Sequence, residues 1–119
     1  MPDRLPCIVP FCRRTVPADR TPAGWEIICA AHWRAVPTAL KAARRRAKAT
    51  VRRLAAEDEA ARLRFLACPE AQVFRPDGMH PLEAARLHAV HRLVSAENRN
   101  ARLWRICKRR ATEAAGGIG

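Results

Sequence analysis

This sequence predicts a mostly α-helical chain: a small metal-ligated finger, built from a short β-hairpin plus a helix, in front of a long antiparallel helical hairpin. Three observations predict it. Cysteine and histidine are paired near the start, as Cys7 with Cys12 and Cys29 with His32, and sixteen residues separate the pairs. Two later runs, from Thr38 to Ala67 and from Leu82 to Ala114, contain neither glycine nor proline. The break between them holds Pro69 and Arg75-Pro76-Asp77-Gly78, a turn signal. The expected organisation is a finger at 1–36 and a helical hairpin at 37–115, with helices at about 38–67 and 81–114 and a loop at 69–80. A tail at 116–119 is expected to fray.

The finger comes first. Cys7, Cys12, Cys29 and His32, spaced CxxxxC and CxxH, match in type and pairing the four ligands of a closed tetrahedral zinc site. Arg13 to Val16 is expected to form one short strand, Pro17 to Gly24 is rich in turn formers, and Trp25-Glu26-Ile27-Ile28 is a β-prone run into Cys29. Ala30 to Ala35 then reads as helix, which puts the second ligand pair on its first turn. A knuckle, a hairpin and a helix carrying the last ligands make a treble-clef-like finger. Residues 1 to 6 are expected to carry nothing. Phe11, Trp25, Ile27, Ile28 and Trp33 are expected to pack around the metal rather than to stack on bases, with Arg13, Arg14, Arg20 and Arg34 on the surface.

The zinc is expected to be structural. A pair of disulfides would need a cysteine in place of His32, and Met1 to Pro6 shows no signal-peptide core, so an oxidising compartment is not expected. A catalytic zinc keeps an open position with three protein ligands, whereas four are present and no spare carboxylate or histidine is expected beside them. A finger of about 30 residues buries too little apolar surface to fold alone, and a structural zinc contributes on the order of 10 kcal/mol in small peptides.

CIVPFC, followed by WEIICAAHWRAVP running into a basic helix, resembles small zinc-finger proteins encoded by phages and prophages of Gram-negative bacteria. The resemblance covers about the first 45 residues. It implies a phage or mobile-element origin and ligation by Cys7, Cys12, Cys29 and His32; it implies no established activity. With no signal-peptide core and no membrane span in the sequence, the cytoplasm of the bacterial host cell is the expected location.

The two helices follow. Pro37 and Thr38 predict a helix start with Thr38 as N-cap. At 100° per residue, Leu40, Ala43, Ala47, Val51, Leu54, Ala61 and Phe65 share one face, with Asp58 intruding. Pro81 suits the first position of the second helix and Glu83 its first turn. There Leu82, Ala89, Leu93, Ala96, Leu103, Trp104 and Cys107 share a face, broadened by Val90, Val94 and Ala101, while His91, Arg92, Arg99, Arg102 and Arg109 face away. Helices joined by a short connection pack antiparallel. With the turn near residue 74, position 46 falls opposite about position 102, so the basic runs 41–53 and 99–110 meet at one pole.

Charge points to the partner. The formal charge is +12, from 23 Lys and Arg against 11 Asp and Glu, a footprint expected of a protein that meets phosphate. Arg13, Arg14, Arg34, Arg45, Arg46, Lys48, Arg52, Arg53, Arg99, Arg102, Arg105 and Arg109 are the candidate nucleic-acid contacts, to DNA or RNA, acting mainly on the backbone; the plainer reading is a solvated charged surface. Phe65, Leu66, Leu87, Val90 and Val94 form a wide apolar face that two helices seldom bury, which suggests a homodimer or a host protein as an alternative partner, with an adaptor or inhibitor role. No apolar run approaches the 18 or so residues of a membrane span, so no membrane partner is expected.

Enzymatic activity is not expected, and no catalytic residues are assigned. No histidine lies between Cys12 and Cys29, where nucleases built on such fingers need one. A second metal site from His88, His91 and Cys68 is disfavoured against surface histidines. Cys68 and Cys107 are too far apart on the expected hairpin for a disulfide and read as buried thiols.

Overall fold

A computed structural model describes residues 4–18 and 25–116. The expected turn around Arg20 and the tail at 117–119 lie outside the described residues. The architecture is mostly helical. Strands β1 (Arg4–Pro6) and β2 (Thr15–Pro17) precede a one-turn helix α1 (Ala30–Trp33), the long α2 (Thr38–Leu66), a 3-10 turn at Pro69–Gln72 and the long α3 (Pro81–Ala115). Both long helices fall within a residue or so of their expected limits.

The hairpin is real, but its strands are not the expected ones. β1 pairs antiparallel with β2, with Leu5 opposite Val16, so the six-residue lead carries a strand. Cys7 N–H donates to the Arg14 carbonyl at 3.1 Å. Because bonded and non-bonded pairs alternate along an antiparallel ladder, Pro6 and Pro17 both fall at non-bonded positions, where a missing N–H costs nothing. Arg4 fastens the pair from outside, its Nε donating to Thr15 Oγ1 at 2.6 Å and an Nη to the Thr15 carbonyl at 3.0 Å. The Trp25–Ile28 run instead forms a single parallel bridge, Cys7 to Ile27.

The described chain divides into two compact units, Met1–Ala43 with Leu103–Gly119, and Arg44–Arg102. The core of the first unit contains Cys7, Val9, Cys29, Val36, Cys107 and Ala111, with Ile28, Ala31, Trp33 and Leu40 packed against it. The finger therefore supplies only part of its interior. Cys107 and Ala111, both wholly buried, enter it from the last turns of α3, and Leu40 enters from the first turn of α2. This meets the shortage of apolar surface expected of so short a finger.

The second unit contains the rest of α2 and α3. Arg86 sits over the Phe65 ring, 5.0 Å from its centroid, and Arg92 pairs with Glu57 at 3.1 Å. Rising numbers on one helix meet falling numbers on the other, so the helices run antiparallel. Ala47, Leu54 and Ala61 are the buried residues of α2, and Val51, Asp58 and Phe65 are half-buried, in agreement with the expected seam. On α3 the expected broadening fails: Val90, Val94 and Ala101 are exposed.

Helix ends are satisfied locally. Leu40 and Lys41 N–H groups donate to the Pro37 carbonyl at 3.0 and 3.1 Å, so Pro37 occupies the cap and Thr38 is the first helical residue, and the helix starts one residue earlier than expected. Gln72 turns its side-chain amide back on the end of α2, 3.2 to 3.4 Å from the carbonyls of Phe65, Leu66 and Cys68, where helix carbonyls lack partners. At the start of α3 the His80 carbonyl accepts from Ala84, and its ring Nδ1 accepts from Leu82 N–H at 3.1 Å.

Candidate metal centre

The first ligand pair is presented by a turn. Cys12 N–H donates to the Val9 carbonyl at 3.2 Å, with Pro10 and Phe11 between them. Phe11 has a φ of 66°, so the turn has the features of type II: proline at its second position and a left-handed residue at its third. Glycine or asparagine is the usual occupant there, and a bulky L-residue costs about 1–2 kcal/mol. The turn holds because Val9 beneath it is buried and cysteines stand at both ends. Ile8 N–H donates to the Ile27 carbonyl at 2.8 Å, which brings Cys29 beside Cys7.

The second pair rides on α1. Cys29 is its N-cap in extended conformation, and its carbonyl accepts from Trp33 N–H at 2.9 Å. One helical turn later His32 faces the same point. The four ligand atoms lie within 4.8 Å of one another. His32 Nδ1 is 3.3 Å from Cys29 Sγ and 3.6 Å from Cys7 Sγ, and the Sγ atoms of Cys12 and Cys29 are 3.9 Å apart. A tetrahedron with metal–sulfur bonds of about 2.3 Å and a metal–nitrogen bond of about 2.0–2.1 Å has edges of about 3.8 Å between sulfurs and 3.5 Å from sulfur to nitrogen. The group therefore has the dimensions to hold a metal ion, and Cys7 and Cys29 are buried. Among the described residues no other set of histidine, cysteine or carboxylate side chains converges in this way; Cys68 is half-buried and His88 and His91 are exposed.

The surroundings favour thiolate at Cys29. Cys29 N–H donates to Cys7 Sγ at 3.3 Å. Burial pushes the Cys29 thiol up, but hydrogen bonds from the His32 backbone, the Arg14 side chain, Cys7 and Cys12 outweigh it and bring the group down to about 6. At Cys12 the Arg14 backbone hydrogen bond lowers the thiol, while burial and the neighbouring Cys29 and Cys7 raise it by more, for a net upward shift. Such donors around ligating sulfurs orient them and stabilise their charge.

Sequence reasoning missed what anchors the site. Glu26, the nearest carboxylate before Cys29, does not join the ligands. Its Oε1 accepts from Trp104 Nε1 at 3.3 Å and Lys108 Nζ at 3.1 Å, and its Oε2 lies 2.9 Å from Lys108 Nζ. Trp33, next to His32, lies against Trp104 at 6.4 Å between centroids with the rings tilted by 35°, and Lys41 Nζ sits over the Trp33 ring, 5.6 Å from its centroid. A sequence separation of 78 residues between Glu26 and Trp104 leaves no local signal of these contacts. The expected packing role of Phe11 is also overturned. Its side chain is fully exposed, because the left-handed turn residue points away from the core; Trp25 is 56% exposed.

All twelve candidate nucleic-acid residues are exposed. Arg13, Arg14, Arg34, Arg105 and Arg109 belong to the first unit; there Arg14 also hydrogen-bonds Cys29 and Arg109 approaches Glu113 at 3.9 Å. Arg45, Arg46, Lys48, Arg52, Arg53, Arg99 and Arg102 belong to the second. The register set by Arg86–Phe65 and Arg92–Glu57 puts Lys48, Arg52 and Arg53 level with Arg99 and Arg102. Burial lowers the Lys48 ammonium, and the charges of Arg44 and Arg52 push it the same way.

Of the candidate partner residues, Leu66, Leu87, Val90 and Val94 are exposed, and Phe65 is half-buried beneath Arg86. The loop residues Val73, Phe74 and Met79 are exposed as well. With Phe65 and Glu83 they line an open cleft of about 370 Å³. No helix is long and apolar enough to cross a membrane among the described residues. Compared with protein-family models, with curated proteins and with solved structures, the chain matches none.

Proposed function

We propose that this chain is a zinc-stabilised nucleic-acid-binding protein that acts by contact, without chemistry, on the phosphate backbone of DNA or RNA. Zinc suits the centre because three thiolates and one imidazole in a closed tetrahedral set are its preferred structural ligands. The observation that carries the binding role is the distribution of acid. No Asp or Glu occurs between Glu26 and Glu57 or between Glu97 and Glu113, and these stretches carry all the exposed cations of α2 and α3 except Arg64 and Arg92. Such surfaces release counterions on meeting phosphate, which gives steeply salt-dependent and largely sequence-independent affinity. A phage origin and action in the cytoplasm of a bacterial host belong to the same proposal, on the resemblance of the first 45 or so residues.

Titration of a duplex and of a single strand at two salt concentrations tests the reading. Micromolar or tighter affinity that falls about 10³-fold or more between 50 and 200 mM salt supports several phosphate contacts; no binding at low salt contradicts it.

A second reading draws on a different observation. Leu87, Val90 and Val94 recur at i, i+3 and i+7 on α3 and are all exposed, a seam suited to another helix. It favours a homodimer, or an adaptor or inhibitor of a host nucleic-acid-processing or defence complex. Recovery of a defined protein complex that survives nuclease treatment, with no nucleic-acid binding by the purified chain, would favour this second role.

A further inference from the structure

Neither burial nor backbone preference accounts for Phe11. Its φ of 66° suits glycine, and its ring is fully exposed, so the fold gains nothing from an aromatic there. Backbone strain of this kind marks functional positions when the surroundings enforce it, and here the ligand cysteines and buried Val9 do so. The charge around it narrows the partner. From Arg4 to Ala18 there is no acidic residue. Arg4 is engaged by Thr15 and Arg14 by Cys29, but the exposed Arg13, two residues from Phe11, makes no hydrogen bond or ion pair among the described residues. An exposed flat ring two residues from an uncommitted, exposed guanidinium, in an acid-free loop, matches the chemistry of a base with its phosphate.

We propose that Phe11 is a stacking platform for an unpaired nucleobase, with Arg13 taking the adjacent phosphate, so that the finger selects single-stranded over duplex nucleic acid. This rests on the nucleic-acid reading above and specifies its substrate. A duplex offers the ring no open base face except at its ends, whereas every base of a single strand does.

The test uses the full zinc-loaded chain, a 12-nucleotide single strand and a duplex of the same length, with affinity read by fluorescence anisotropy. Phe11→Gly suits the left-handed position, so zinc content and thermal midpoint should hold or improve. Its single-strand affinity should fall roughly 5- to 150-fold, the range for loss of one stacked base, with less than a twofold change on the duplex. Phe11→Leu keeps apolar bulk without a ring and should lose as much, while Phe11→Trp should bind the single strand as well as wild type. Unchanged single-strand affinity in Phe11→Gly, equal losses on both probes, or full affinity in Phe11→Leu would each overturn the proposal while leaving phosphate binding intact. If wild-type protein binds neither probe, the nucleic-acid reading fails and takes this one with it.

Discussion

Glu26 Oε2 lies 2.9 Å from Lys108 Nζ, and through this pair the strand-like run before Cys29 is joined to the last turns of α3. The Lys108 hydrogen bond holds the Glu26 carboxyl below its ordinary 4.5; burial opposes the shift, and Trp104 and the Lys108 charge add to it. Because the folded value is depressed, the stabilisation is complete above pH 4.5 and fades as pH falls through the folded value. Both side chains are about one-third exposed, so the pair is worth less than a buried one. Glu26→Gln should cost about 0.5–1 kcal/mol at neutral pH, read as a drop in the thermal midpoint that shrinks as the pH falls below the ordinary 4.5.

Ala111 is wholly buried against the finger's interior. Ala111→Leu inserts three carbons where there is no space and should destabilise by about 1–3 kcal/mol. The first unit should also surrender its metal to a chelator faster than wild type, as followed with a chromogenic zinc indicator. An unchanged release rate would mean that the end of α3 does not support the centre.

Acid should release the metal. Cys29 is depressed from 9.0 to about 6, so its contribution to the metal-free fold is complete above about pH 9 and is lost as pH drops through about 6. Metal binding requires deprotonated ligands throughout. Zinc should therefore be retained at pH 7.5 and lost progressively below about pH 6, in an equilibrium dialysis series.

Neutralising α2 tests the basic surface. Arg45, Arg46, Arg52 and Arg53 are exposed and lie in an acid-free stretch. Replacing all four with glutamine should weaken nucleic-acid binding and reduce the slope of log affinity against log salt by up to about 3–4, with zinc content unchanged. Undiminished affinity would identify these arginines as solvated surface.

Much of this was legible in the residues. The convergence of Cys7, Cys12, Cys29 and His32 needed only type and spacing, and the long helices needed only the absence of glycine and proline together with Pro81 at a start. What escaped were long-range pairings of unremarkable residues. Leu5 finds Val16 although prolines stand in both strands, because both fall at non-bonded positions. Cys107 and Ala111 complete the finger's core, but small residues on a helix carry no mark of which neighbour they meet. Phe11 was misread because an aromatic among metal ligands resembles packing until its backbone dihedral is known. Val90 and Val94 followed the helical period correctly, yet a pair of helices has too few neighbours to cover them.

The central claim is that one zinc ion is held by Cys7, Cys12, Cys29 and His32. X-ray absorption at the zinc edge of the purified protein tests it most directly. One zinc per chain, with three sulfurs at about 2.3 Å and one nitrogen at about 2.0–2.1 Å, is the predicted shell; a chain without tightly bound zinc, or a shell of four sulfurs or of oxygen ligands, would contradict it.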